Sequence, residues 1–254
     1  CGVLGLIIGS FLNVVIWRVP RGESVVSPPS HCPSCDAEIG PLDNVPLVSW
    51  LVLRGHCRRC RAGISARYPA VELATGVLFG LFAIHFGAHA DLAAYLYLAA
   101  VGIALAVIDL DHQRLPDPLT LPSYVVGAAL LGIAAATGSG GGGHDYVRAL
   151  IGMAALFGFY GIVWFIYPAG MGLGDVKLSG VLGLYLAWLG WGQLVVGAFA
   201  AFLVGAVVSV SVVAARGGDR KTKVPFGPFM LIGVLIGIYA GHPVANAYAH
   251  SLTH

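Results

Sequence analysis

Four cysteines in two close pairs form the clearest chemical pattern in the chain. Cys32 and Cys35 are followed, in the same long polar segment, by Cys57 and Cys60. A two-residue gap lets a tight turn aim both thiolates at one tetrahedral ion, and a second pair completes the coordination. The surrounding turn-rich chain is too short to bury a large core, so a bound metal would supply much of its folding energy. The spacing predicts a structural zinc site.

Two other interpretations remain open for these cysteines. They could form disulfides or act as redox thiols, or they could bind no ligand. Disulfides are rare in the reducing cytoplasm, where the charge pattern described below places this segment. A catalytic zinc is disfavoured because four thiolates leave no open coordination position. His31 and His56 flank the cysteines and are expected to be bystanders.

The acidic residues divide by their position relative to the apolar runs. Charged side chains at membrane depth are costly and tend to be functional. Seven acids lie in polar segments, where a solvated surface role is the default: Glu23, Asp36, Glu38, Asp43, Asp91, Asp145 and Asp219. Five others lie at or near apolar runs and need individual explanations: Glu72, Asp109, Asp111, Asp117 and Asp175.

Three of these five acids have simple structural interpretations. Asp117 precedes Pro118 and is expected to cap a helix. Asp111 is expected to be a solvated loop residue. Glu72 is expected to pair with a nearby arginine, and a contact with a substrate is the alternative.

Asp109 and Asp175 are the remaining candidates for chemistry. Asp109 closes the apolar run 101–108, and Asp175 follows the alternating glycines Gly170, Gly172 and Gly174. Glycines in this pattern permit unusual dihedral angles and close approach by another extended chain. Taken alone, Asp175 is equally well explained as the cap of the helix that follows it.

A pair formed by Asp109 and Asp175 could hydrolyse peptides. Two close carboxyl groups cannot both ionise easily, so one stays charged while the other keeps a proton. The charged group takes a proton from water, and the neutral group polarises the scissile carbonyl. Such a pair titrates as a unit, so neither residue has a fixed role. The sequence contains no competing Ser-His-Asp or Cys-His arrangement.

Hydrophobicity determines the elements that must position these residues. Of the 254 residues, 57% are hydrophobic and 10% are charged, which excludes a soluble domain around one core. The net charge of +2 gives no reason to expect nucleic-acid binding. Apolar runs long enough to cross a bilayer predict about eight membrane helices, at residues 1–17, 70–86, 91–108, 119–138, 148–167, 178–192, 193–215 and 225–243. The sixth is short, and only residues 190–192 separate it from the seventh.

The first of these runs is expected to be a membrane helix rather than a removable signal peptide. It lacks a basic start and a small-residue cleavage site. Cys1 is expected to be an apolar residue of this helix. A lipid-modified Cys1 is the disfavoured alternative, because no polar tether follows it.

Basic residues indicate the orientation. Of the 14 Lys and Arg residues, only Arg148 falls outside segments 18–69, 109–118, 168–177 and 216–224. Short loops rich in Lys and Arg face the cytoplasm, so the cysteine segment and both candidate aspartates are expected on that side.

The predicted fold is therefore an all-α polytopic membrane protein with three parts. Residues 1–17 form the first membrane helix. Residues 18–69 form a cytoplasmic, zinc-ribbon-like domain, and residues 70–254 form the membrane domain that carries the aspartates.

A series of short motifs runs along nearly the whole chain. They lie at residues 9–15, 32–35, 43–46, 49–51, 57–60, 67–72, 108–117 and 172–178. In this order they resemble the type IV prepilin peptidases, also called leader peptidases, which are membrane aspartic proteases. The segment Gly172-Leu173-Gly174-Asp175 fits the GxGD motif of that family.

The resemblance implies that Asp109 and Asp175 are the catalytic pair of a peptidase in the bacterial inner membrane, with no metal needed for cleavage. The implied substrates are type IV prepilins and pseudopilins, cut after a glycine that ends a short basic leader. The segment with Gly172 and Gly174 would accept the unwound substrate strand. The cysteine domain would belong to the branch that then methylates the new N-terminal amine with S-adenosylmethionine.

One departure from the family bears on methylation. The family usually has Lys or Arg between the glycine and the third cysteine, where this chain has His56 between Gly55 and Cys57. No glycine-rich nucleotide fingerprint is present, so the sequence does not locate the methyl-donor site.

Two other functional classes remain open. In an ion- or proton-coupled transporter, Asp109 and Asp175 would be relay sites and the cysteine module a regulatory cap. Neither aspartate lies at mid-span, which disfavours this class. In a membrane-bound zinc scaffold without catalysis, the two aspartates would only cap helices.

Overall fold

The structure of the chain, a computed structural model, describes residues 1–168, 170–215 and 225–251. Within these ranges the regular structure consists of α-helices and two short 3₁₀ helices, Val19–Arg21 and Pro41–Asn44, and the only β-pairing consists of isolated bridges. The helices are α1 Gly2–Arg18, α2 Val48–Val52, α3 Arg67–Phe86, α4 Asp91–His112, α5 Asp117–Thr137, α6 Gly143–Ile166, α7 Leu173–Leu189, α8 Trp191–Ala215 and α9 Gly227–Ser251. The predicted all-α membrane fold is confirmed.

Each of the eight predicted apolar runs coincides with one long helix. In the described ranges, seven helices are long and apolar enough to cross a membrane. The remaining predicted run, the sixth, corresponds to α7, which has 17 residues and is short as expected. It begins at Leu173 rather than at 178, so the GxGD aspartate lies inside the helix. A single residue, Gly190, separates α7 from α8, and its φ of +153° favours glycine.

The short helix α7 is surrounded by other helices. It contacts α5, α6, α8 and α9, and thirteen of its residues are buried. Neighbouring helices rather than lipid therefore cover much of its surface. Its C-terminal carbonyls are satisfied by Arg148 of α6, whose Nε donates to the Ala187 oxygen at 2.6 Å and whose Nη2 donates to the Trp188 oxygen. A cation at a helix C-terminus is electrostatically favourable, which explains the one basic residue outside the four predicted cytoplasmic segments.

The chain divides into two compact units: Cys1–Ala88 with Tyr95–Ala104, and His89–Ala94 with Leu105–His254. The second contains α5 to α9 and both ends of α4. The three-part domain division made from the sequence remains a prediction. The basic residues Arg216, Arg220, Lys221 and Lys223, together with Asp219, lie outside the described residues.

In the first unit, glycines let α1 and α3 pack closely. A Cβ atom on Gly9 would lie 2.7 Å from the Glu72 Cα, and one on Gly5 would lie 2.7 Å from the Thr75 oxygen. Nearer the end of α1, the Asn13 side-chain amide donates to the Tyr68 oxygen at 3.2 Å. These contacts place Gly9 level with Glu72 and fix the register of the two helices.

We predict that Gly9→Ala destabilises the protein by about 1–3 kcal/mol, because the added methyl group must push α1 away from the α3 backbone. Thermal unfolding of the detergent-solubilised protein measures the change. Gly80→Ala is the matched control, since a Cβ at Gly80 of α3 meets nothing within 4 Å. Equal effects of the two substitutions would contradict the close packing of α1 on α3.

Candidate functional site

The two candidate aspartates lie at the same end of the second unit. Asp91, in the first turn of α4, accepts a hydrogen bond from Trp188 Nε1 near the end of α7, at 3.4 Å. The first turn of α4 therefore lies beside the last turn of α7. Asp109 is near the opposite end of α4, and Asp175 is in the first turn of α7. Both carboxyl groups consequently lie away from the Asp91 end.

Asp175 accepts a hydrogen bond from the backbone at the start of its own helix. Its Oδ2 lies 3.1 Å from the N–H of Gly172, the N-cap residue of α7. The same arrangement occurs at the start of α6, where Asp145 Oδ2 accepts from the Gly142 N–H at 2.8 Å. The capping interpretation of Asp175 therefore describes a real contact, and Asp175 is also buried, with 8% of its surface exposed.

Asp109 is held by a residue that the sequence reasoning missed. Its Oδ2 accepts a hydrogen bond from the N–H of Gly227, the first residue of α9, at 3.0 Å. A Cβ on Gly227 would lie 2.8 Å from the same oxygen, so only glycine fits without a shift. The sequence signal was Gly227 followed by Pro228 at a helix start, a combination typical of a helix N-terminus with close backbone approach.

Leu115 connects the surroundings of the two aspartates. A Cβ on Gly174 would lie 3.0 Å from the Leu115 Cβ, and one on Gly227 would lie 3.4 Å from the Leu115 Cδ2. Leu115 therefore packs against both the glycine before Asp175 and the glycine that binds Asp109. The carboxyl groups of Asp109 and Asp175 also interact electrostatically. The structure thus brings the two predicted residues into one neighbourhood.

An aromatic cluster lies beside this neighbourhood. Tyr160 of α6 is 1% exposed, stacks on Phe202 of α8 with ring centroids 5.2 Å apart, and interacts electrostatically with Asp175. The ring centroids of Phe202 and Phe226 are 5.4 Å apart, and Phe226 directly precedes Gly227. Apolar packing of this kind restricts water around the carboxyl groups and strengthens electrostatic interactions between them.

Several expectations for the other acids were wrong. Asp117 does not cap α5, whose N-cap is Pro116; its carboxylate binds Lys177 Nζ instead, at 2.7 Å. Asp111 lies within α4 rather than in a loop. Asp91 is 3% exposed rather than solvated, and it accepts the hydrogen bond from Trp188.

Glu72 is also bound differently from the expectation. Its partner is the backbone N–H of Leu47, which donates to Oε2 at 2.8 Å, rather than an arginine. The chain before α2 crosses α3 at this level and offers the free N–H of a helix N-terminus. Glu72 is 8% exposed, so this contact stabilises a carboxylate that has little water around it.

The four paired cysteines converge on one point. The Sγ atoms of Cys32, Cys35, Cys57 and Cys60 all lie within 4.8 Å of one another, and the Cys32 and Cys60 Sγ atoms are 3.8 Å apart. Thiolates at about 2.3 Å from one tetrahedral ion are separated by about 3.8 Å, whereas a disulfide bond is about 2.05 Å long. The cluster can therefore hold a metal ion, and Cys1 takes no part in it.

The two cysteine pairs lie in turns of the same shape. In the first, the Cys32 N–H donates to the Ala37 oxygen and the Asp36 N–H to the Cys32 oxygen. The second repeats both bonds, from Cys57 to Ala62 and from Arg61 to Cys57. Asp36 and Arg61, each directly after the second cysteine of its pair, both have positive φ. This repetition directs all four thiols to one site.

Backbone and side-chain contacts stabilise the second turn. The N–H groups of Cys60 and Arg59 donate to the Cys57 sulfur and lower the pKa of Cys57 to about 6, which favours the thiolate that binds metals. Arg58 forms a bidentate pair with Asp43, with Nη2 2.6 Å from Oδ1, and holds the pKa of that carboxyl below its ordinary value.

The fold and the site define a polytopic membrane protein with a buried carboxyl pair and a four-cysteine module. Residues 3–86 match the Bacterial Peptidase A24 N-terminal domain, and residues 96–210 match the Type IV leader peptidase family. The chain belongs to the type IV leader peptidase family. Because seven helices in the described part of the chain are long and apolar enough to span a bilayer, it is a multi-pass protein of the inner membrane.

Relatives in three bacteria are called prepilin leader peptidase/N-methyltransferase. The Stutzerimonas stutzeri protein is 36% identical over 97% of this chain and 91% of its own length. The Pseudomonas aeruginosa protein is 37% identical over the same shares. The Neisseria gonorrhoeae protein is 37% identical over 99% of this chain and 93% of its own length. No solved structure matches the chain significantly.

We predict that the metal-free protein binds one Co²⁺ ion per chain in the four-cysteine cluster. Thiolate-to-cobalt charge-transfer absorption and the visible bands of tetrahedral Co²⁺ measure the binding. Cys32→Ser should weaken both signals, because it removes one of the four ligands. Cys1→Ser is the control and should leave them unchanged. Absence of tetrahedral bands in the unsubstituted protein would contradict the predicted geometry.

Proposed function

We propose that the chain cleaves the basic leader from type IV prepilins or pseudopilins, using Asp109 and Asp175 as its catalytic pair. The observation that carries the proposal is the placement of two buried carboxyl groups, from α4 and α7, on either side of Leu115 in a member of this family. The family and its relatives support both prepilin cleavage and N-methylation of the product. A transporter is not supported by them.

The hydrogen bond to each carboxyl group suits a mechanism in which the pair shares one proton. Asp109 and Asp175 each use Oδ2 to accept a backbone N–H, so both carboxyl groups are held in fixed orientations. One carboxylate takes a proton from water, and the other, protonated, polarises the carbonyl of the scissile bond. When the tetrahedral intermediate collapses, the leaving amine receives a proton from the pair. The pair acts as a unit, and neither residue is assigned a single role.

The position of the pair suits a substrate with a polar leader and an apolar helix. Asp109 lies in the last turn of α4 and Asp175 in the first turn of α7, at the ends of helices rather than at mid-span. The scissile bond of such a substrate lies where its helix leaves the membrane. The bias of Lys and Arg toward the same segments supports a cytoplasmic location for the pair and for the cysteine module.

Gly172 and Gly174 would accept the unwound substrate strand next to Asp175. Gly172 is the N-cap of α7 and has extended backbone, and Gly174 lies in the first helical turn. Gly172 is exposed and carries no side chain that would hinder a second strand, whereas Gly174 lets Leu115 pack closely against the start of the helix.

We further propose that the four cysteines hold a structural zinc ion. Four thiolates at these separations match its tetrahedral coordination, and the metal would stabilise a module with little buried apolar surface. S-adenosylmethionine would be the methyl donor for the second activity, a substrate whose binding residues stay unassigned. Mass measurement of the mature N-terminus, with and without S-adenosylmethionine, tests the methylation separately from the cleavage.

Asp109→Asn and Asp175→Asn should each lower the rate of leader removal from a purified prepilin by about a hundredfold or more, since each removes a group that must gain or lose a proton. Asp117→Asn is the matched control. This third aspartate lies in the same unit but binds Lys177, and its substitution should leave the rate within a few-fold. Continued cleavage by both Asn variants would refute the catalytic pair.

Gly227→Ala should lower kcat by about tenfold or more and leave KM nearly unchanged. The added Cβ would displace the Asp109 carboxyl, and small displacements of reacting groups are costly. Gly241→Ala, in the same helix, is the control because its Cβ would crowd the Gln193 Cα at 2.7 Å without touching a carboxyl group. If the two substitutions reduce kcat equally, Gly227 has no special role in holding Asp109.

A further inference from the structure

The short helix α2 lies in the polar segment that carries the four cysteines, but its outer face is apolar. Val48, Leu51 and Val52 are 54%, 65% and 70% exposed. Leu42, whose backbone oxygen accepts a hydrogen bond from the Ser49 hydroxyl of α2, is 83% exposed. A contiguous apolar surface of this kind is unusual in contact with water and marks an interaction site. The inner face is different, because Trp50 donates from Nε1 to the Ile64 oxygen at 3.1 Å.

One contact fixes the depth of α2 relative to the membrane. Leu47, the N-cap residue of α2, donates its N–H to Glu72 at 2.8 Å, and Glu72 lies in the second turn of α3. Gly9 of α1 is level with Glu72, since a Cβ there would lie 2.7 Å from the Glu72 Cα. The start of α2 therefore lies at the level of Gly9.

The end of α1 shows how deep that level is. Trp17 is 52% exposed, and the Arg21 guanidinium lies 3.7 Å from the centre of its ring. An exposed tryptophan next to arginines at the end of an apolar helix is typical of the membrane–water interface. An α-helix rises 1.5 Å per residue, so Gly9 lies about 12 Å from Trp17 along α1, on the side of the hydrocarbon core of the membrane.

We propose that α2 is an interfacial helix whose outer face, formed by Leu42, Val48, Leu51 and Val52, is covered by membrane lipid. The Leu47–Glu72 contact holds the start of the helix below the level of Trp17, where lipid surrounds any surface not covered by protein. On this proposal the apolar face of α2 adjoins apolar side chains that α1 and α3 also expose, among them Phe11 at 49% and Leu73 at 52%.

The charges next to α2 suit the same partner. Arg54 follows the helix closely, and Arg59 and Arg61 lie in the adjacent cysteine turn, all three exposed. An apolar face beside basic residues is the composition of helices that bind anionic lipid surfaces. The four-cysteine module is then attached to the bilayer through α2 as well as through its chain connections to α1 and α3. This inference does not depend on the peptidase activity.

Photo-crosslinking in a bilayer tests the proposal. A benzophenone amino acid is introduced at Leu51, at Val52 or, as a control, at Ser34, an exposed residue between Cys32 and Cys35. Each full-length protein is placed in nanodiscs that contain phosphatidylglycerol and is irradiated. Leu51 and Val52 should each give severalfold more lipid adducts than Ser34, as measured by mass spectrometry.

Two results would overturn the proposal. Lipid adducts at Leu51 and Val52 no more abundant than at Ser34 would show that the face is in water. Adducts only with a second copy of the chain, or only with an added prepilin, would show that protein covers the face. Leader cleavage by the same samples is measured in parallel, so a loss of peptidase activity is recognised separately from a loss of lipid contact.

Discussion

Two hydrogen bonds from helix N-termini hold the candidate site together. The Gly172 N–H binds Asp175 and the Gly227 N–H binds Asp109, and each is a donor that the helix itself leaves unused. A buried carboxylate needs such donors, because water is scarce around it. The positive ends of the α7 and α9 dipoles add a favourable field. The positions of α4, α7 and α9 are therefore tied to the same pair of side chains.

The central helix α7 satisfies this constraint because protein surrounds it. Its first turn carries Asp175, its buried length contacts four helices, and Arg148 satisfies the carbonyls at its end. Near that end, Trp188 contacts Asp91 of α4. The helix that carries one candidate acid is therefore linked, at its opposite end, to the helix that carries the other. The short length of α7 is consistent with a helix that packs mainly on protein.

The first unit joins the polar four-cysteine module to the membrane helices α1 and α3. Two turns of the same shape bring four thiols together. Glu72 receives the Leu47 N–H and connects the chain at α2 with α3. A small module with little apolar core gains stability from a metal, from such contacts and from the surface on which it lies.

The amino-acid sequence was sufficient to predict the membrane class, the eight long helices, the four-cysteine cluster and the two aspartates worth testing, because these depend on composition, periodicity and local spacing. It did not determine the partners of the acids. Asp117 binds Lys177, Glu72 binds a backbone N–H, and Asp91 accepts a hydrogen bond from Trp188, and each of these contacts joins distant parts of the chain. Gly227 was missed for the same reason, since its importance lies in an N–H that meets Asp109, 118 positions away. Contacts between residues far apart in the chain form only when the helices pack together, and such contacts hold the two aspartates in place.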